Sequence, residues 1–183
     1  DITRMKVGKV QIQIEGGRFT VDSAEAPWID LCDFVAKTFT EFLPSTPINQ
    51  MGINRLVHFS VGSEERRNRI GRRLAPLEPW GEWGKAIDGS PADLRGGCTH
   101  LTMRLPRSID SHKGHLQITI QPSVRIKGNV GIYAETNDHY HVGHLQDITD
   151  CTSIMELLIK NFENSVAQSE QLIDQGMSRE EGS

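Results

Sequence analysis

The chain has 183 residues, a mass of 20.5 kDa, 37% hydrophobic and 24% charged residues, and a formal net charge of −4. That is enough apolar material to bury a core, so disorder by composition is excluded, as is a uniformly basic nucleic-acid binder. No uncharged apolar run approaches the roughly 18 residues of a membrane helix.

Residues 5–14 alternate, with Val10, Ile12 and Ile14 on one face, and Gly16-Gly17 separates them from Phe19 and Val21. This predicts a β-hairpin with a glycine turn. Pro27 suits the first turn of a helix over 24–43, in which Trp28, Leu31, Val35, Phe39 and Phe42 recur at helical spacing. Residues 48–61 read as a strand, and Arg55 shares the phase of its apolar side chains. Ser63 caps a short helix with Glu64 and Glu65 in its first turn. Residues 76–97, rich in Pro, Gly and Trp, read as a long loop. Three strands follow, carrying Leu101/Met103/Leu105, Leu116/Ile118/Ile120 and Val130/Ile132/Ala134 in phase. A final helix spans 153–175, opened by a Ser153–Glu156 capping box and stopped by Gly176. The order ββαβα–βββα predicts an α+β fold: one mainly antiparallel twisted sheet with two long helices on one face. Residues 1–176 form one domain on this reading and 177–183 a flexible tail. The strand-like start at Asp1 predicts that a natural N-terminal segment precedes it.

Cys32, Cys98 and Cys151 are scattered and odd in number, which disfavours a disulfide framework and predicts a reducing, cytoplasmic setting. Three stretches belong together: Thr46–Asn54, Gly71–Trp83 and Asn137–Tyr140, with the last helix carrying Ser165, Ser169 and Glu170. Together they resemble a sporadically distributed family of uncharacterised bacterial proteins, often tied to mobile-element or defence genes. The resemblance implies an α+β fold and a missing N-terminal strand. It carries no catalytic residues.

Four constellations bear on chemistry. His139 and His141 would point to one side of an extended segment, with His144 or Asp138 completing a metal site. The competing reading is a solvated turn. Arg66, Arg67, Arg69, Arg72 and Arg73 lie on a helix whose large apolar residues are Ile70 and Leu74. They would contact phosphates, a partner protein, or water alone. Arg55 on an apolar face needs a carboxylate such as Asp33 or Glu163, or else clamps an anion. Trp80 and Trp83 either stack on a ligand or pin the loop, and the usual burial of tryptophan favours pinning. Cys98 and His100 share a strand face, but an i, i+2 pair from one strand is an unusual nucleophile and base.

Charge is split along the chain: residues 135–183 hold ten acidic and two basic residues, residues 1–134 fourteen and eighteen. Such asymmetry favours self-association or a charged partner. In the last helix, Met155, Ile159 and Leu172 lie off the main stripe, and Ser165 and Ser169 would admit another element. The sequence thus predicts a non-catalytic binding or assembly module without a cofactor, as a homo-oligomer or with a protein partner. Arg55, Arg66, Arg69, Arg73, Trp80 and Trp83 are its candidate contact residues. The alternatives are a nucleic-acid binder using the helix at 64–74 and a metal-dependent enzyme using Asp138, His139, His141 and His144.

Overall fold

The computed structural model describes residues 2–90, 97–142 and 148–178. It has the mixed α+β content that the sequence predicts, with antiparallel strands, but they form two sheets where one was expected. Two compact units result.

The first unit comprises 1–51, 109–113 and 140–167. It contains a three-stranded meander: β1 (Ile2–Val7), β2 (Val10–Glu15) and β3 (Arg18–Ser23). The hairpin reading missed the first turn. Gly8 takes a φ of +59°, which only glycine adopts cheaply, and folds β1 back on β2 so that Val7 lies opposite Val10. Helix α1 (Ile29–Lys37) starts later than expected and ends in a π-helical turn through Phe42. There the Thr38 and Thr40 hydroxyls donate back to the Phe34 and Ala36 carbonyls. Phe39 meets Phe19 of β3 edge-on at 5.2 Å. Ile12, Cys32, Ala36 and Phe39 are buried with Cys151, Ile154, Leu158 and Phe162.

The second unit comprises 52–108, 114–139 and 168–183. Most of the four-stranded sheet lies in it, ordered β4 (Gln50–Ser60), β7 (Gly131–Val142), β6 (His112–Pro122), β5 (Leu101–Ile109). Val57, Ile118, Ile120, Ile132 and Ala134 form its apolar layer with Leu172, Ile173 and Met177 of the last helix. Helix α2 (Glu64–Leu74) adds Ile70 and Leu74 to that layer, as its sparse apolar content dictates. Ser63 caps it, its hydroxyl accepting from the Arg66 N–H at 3.1 Å.

Two further differences concern helices. Residues 78–80 form a 3₁₀ turn and Gly81–Asp88 a helix, α3, inside the stretch read as loop. Pro79 sits in that 3₁₀ turn, where its missing N–H costs nothing, and Lys85 pairs with Glu82 one turn away. The last helix, α4, runs Thr152–Ser178, through Gly176. The Asp150 carboxylate accepts from the Thr152 N–H at 2.9 Å, so Asp150 serves its start. Ser153, expected as the cap, turns its hydroxyl to His112 Nε2 at 2.8 Å.

Candidate functional site

Helices α2 and α3 line a cleft of about 340 Å³ in the second unit. Its floor is apolar, drawn from Ile70, Leu74, Ile87, Leu101, Ile120 and Ile132. An Arg72–Asp88 ion pair ties the two helices. Gly84 is buried against the preceding turn, where an added Cβ would lie 2.2 Å from the Leu77 carbonyl oxygen. Only glycine allows α3 to fold back this tightly. The fold-back leaves Trp80 and Trp83 outside, 58% and 62% exposed and edge-to-face at 5.3 Å. The expectation that these rings pin a loop is therefore corrected: the segment is helical, and it presents both rings to solvent.

The five arginines of α2 separate by role. Arg67 reaches Glu64 at 3.6 Å, and Arg72 is taken by Asp88. Arg73 donates to the carbonyl of Gly176 in α4. Arg66 and Arg69 are exposed. Arg55 of β4 pairs with Glu170 of α4 at 3.1 Å, a carboxylate that the sequence reading did not name as its partner.

The histidine segment is divided by the strand that carries it. Residues of β7 alternate, and Asp138 faces inward at 0% exposure. Arg107 of β5 grips its carboxylate with two bonds, Nε–Oδ1 at 3.1 Å and Nη2–Oδ2 at 3.0 Å. Gln168 Oε1 accepts from both terminal nitrogens of the same guanidinium, at 2.7 and 2.8 Å. Asp138 is thus an internal counter-ion on the face opposite His139, and cannot join it in a metal site. His141 is exposed, and His144 lies outside the described residues. Among the described residues, no three His, Cys, Asp or Glu side chains converge on a metal-sized site.

The other face of the sheet is polar. Bonds from Thr102 to Thr119 and from Arg104 to Gln117 set the register of β5 on β6. The Ser123 N–H to Gly131 carbonyl bond sets β6 on β7, and Val61 N–H to Val130 carbonyl sets β7 on β4. Continued along the strands, this register brings Gly52, His139 and His115 into one row, then Asn54, Asn137, Gln117 and Arg104. A further row holds His58, Tyr133, Gln121 and His100. His58 Nδ1 meets the Ser123 hydroxyl at 2.8 Å and its ring lies 4.8 Å from that of Tyr133. Burial, with the Glu135 carboxylate accepting from its hydroxyl, pushes the Tyr133 phenol up to about 12.

His100 engages Gln121 and Thr102, and β5 begins only at Leu101, so Cys98 and His100 form no dyad. The interface read into α4 also changes. Ser165, Ser169 and Met155 are at most 3% exposed within the chain itself, while Ile159 alone of the outlying residues is strongly exposed, at 57%. The sequence reading missed Arg107 and Gln168, gave Glu170 no partner, and set His115 aside as too scattered. Each is unremarkable in its own segment and becomes visible only once the strand register is known. No family model, curated protein or solved structure matches the chain.

Proposed function

We propose that the chain is a non-catalytic binding or assembly module that takes an acidic protein surface, a second copy included, on the α2–α3 face. The carrying observation is the pair of exposed rings, Trp80 in the 3₁₀ turn and Trp83 on α3, beside the arginine helix to which α3 is tied. Large aromatic side chains beside arginine are what protein interfaces concentrate at their centres. Arg66 and Arg69 are exposed charges on α2 that an acidic surface would meet, and Glu156, Glu163 and Asp174, exposed on α4, would provide carboxylates on another copy. Arg73, bonded to the Gly176 carbonyl, and Arg55, paired with Glu170, are both engaged within the chain.

Light scattering across a concentration series, at low and high salt, tests this. The wild-type protein should associate at low salt and dissociate as salt screens the charges. Reversal of Arg66 and Arg69 to Glu, or Trp80→Ala with Trp83→Ala, should abolish association without changing the circular dichroism. Association unchanged in both variants would remove this face as the interface. A single-stranded oligonucleotide bound by the wild type and released by the same variants would assign the face to nucleic acid instead.

A further inference from the structure

We propose that the polar face of the four-stranded sheet binds a single-stranded nucleic acid, with one unpaired base seated in a pocket beside the β6–β7 loop and the adjoining phosphate on Arg125. This site is independent of the α2–α3 face.

The pocket has a volume of about 280 Å³. It is formed by Leu56 and His58 of β4, Gln121 of β6, Tyr133 of β7, and Val124 and Arg125 of the loop that joins β6 to β7. Pockets for whole drug-sized molecules run from about 300 to 1,000 Å³, so this one suits a single ring system and its sugar. Its walls fit a flat apolar body. The His58 and Tyr133 rings line it together, their centroids 4.8 Å apart. Leu56 is 57% exposed and Val124 95%. Stacking on tyrosine and histidine rings is how proteins hold unpaired bases.

The pocket is preformed. The Ser123 hydroxyl accepts from the N–H groups of Arg125 and Ile126, both at 3.2 Å. With both lone pairs taken, it donates its own proton to His58 Nδ1 at 2.8 Å. One hydroxyl thus fixes both the loop that carries Arg125 and the ring of His58. The loop also lies directly on the backbone of Gly131, where an added Cβ would come within 2.5 Å of Ile126 Cβ. The Tyr133 hydroxyl donates to Glu135 at 2.8 Å, which holds the second ring.

Charge selects a polyanion. Arg104 and Arg125 are exposed and make no ion pair among the described residues, although the chain carries a net charge of −4. The carboxylate of Glu135 on the same face is already engaged by Tyr133. Arg104 stands in the row of Gln117, four strand residues from the row of Gln121, or about 13 Å along the sheet. A strand spans that distance, and a single nucleotide seated in the pocket does not. The amides of Asn54 and Gln117 fill the interval, whereas the centre of a protein interface is apolar and depleted of charge.

The test uses the whole chain and fluorescence anisotropy of labelled single-stranded homopolymers of about twelve nucleotides, ribo and deoxy, a length within known single-strand site sizes. Binding should be saturable and should weaken as salt rises. Tyr133→Ala should weaken it about five- to 150-fold, the range for removing one stacking ring. Arg125→Ala should weaken it equally for all sequences and lower the salt slope by about 1. Arg125 lies on an exposed loop, so this variant reads the site even if Tyr133→Ala fails to fold. Reversal of Arg66 and Arg69 to Glu should leave binding unchanged, which separates this site from the α2–α3 face. No saturable binding, wild-type affinity in both sheet variants, or a loss confined to the α2 variant would overturn the site. So would a mononucleotide that competes as well as the strand, because Arg104 would then contribute nothing.

Discussion

The Arg107–Asp138 pair allows an asymmetric stability prediction. Asp138 is fully buried, whereas 17% of the Arg107 side chain is exposed. Arg107→Ala leaves a carboxylate sealed in the interior with neither of its two guanidinium bonds. Asp138→Ala leaves a guanidinium that keeps both bonds to Gln168 Oε1 and has a path to water. Removing one partner of a buried pair costs about 3–5 kcal/mol. Arg107→Ala belongs at the upper end of that range and Asp138→Ala at or below the lower end. Against a total stability of about 5–15 kcal/mol for a domain, the first change removes a third or more of the margin. Replacing both residues by Leu should restore much of the loss, because burying a charge pair brings little net stability over apolar packing. Urea unfolding at pH 7, followed by circular dichroism, of the wild type, the two single alanine variants and the double alanine variant gives the double-mutant cycle, with the double leucine variant measured beside it. An Arg107→Ala cost below about 1 kcal/mol, or two single costs that simply add in the double variant, would refute this account.

Two further outcomes are expected. Gly84→Ala should expel α3 from its fold-back, since the added carbon meets the Leu77 carbonyl at 2.2 Å; tryptophan fluorescence should shift, and association should fall as far as in the Trp80/Trp83 double variant. Burial, then the charges of Asp33 and Glu163, raise the Cys32 thiol from its ordinary 9.0 to about 11, so iodoacetamide at pH 8 should label Cys98 well before Cys32 when read by mass spectrometry. The fold favours the neutral thiol, so its contribution is complete below pH 9 and is lost as pH rises towards 11. Urea midpoints measured over that window should fall less steeply in Cys32→Ala, and an unchanged slope would sink the assignment.

Elements with a local cause were legible in the sequence. Ser63 caps α2 because a hydroxyl one residue before a helix accepts a free N–H whatever lies around it. The phase of Arg55 on β4 likewise predicts a carboxylate partner, though not which one. Elements whose cause is non-local were not legible. At Gly8 the apolar phase switches from Met5 and Val7 to Val10, Ile12 and Ile14, and reading 5–14 as one alternation merged β1 with β2. Gly176 stops a helix only where the chain must leave it. Here Arg73 holds its carbonyl, Met177 packs with Ile132 and Ile173, and the helix continues. Trp, Pro and Gly in 76–90 give a loop composition, and the contact of Gly84 with the preceding turn converts part of it to helix.

The segment Asn137-Asp-His-Tyr-His141 shows where the limit lies for function. Alternation along a strand decides which residues share a face: Asn137 and His139 on one, Asp138 on the other. It does not decide which face is covered, nor what stands opposite in the neighbouring strands. Those facts come from pairing with β4 and β6, segments about eighty and twenty residues earlier in the chain. Pairing turns Asp138 from a candidate ligand into the counter-ion of Arg107, and gives His139 a new neighbour in His115. A metal reading drawn from spacing within one segment therefore selected a carboxylate from the opposite face of the strand. The chemistry of the two rings was present in the sequence, but their proximity is a property of the sheet.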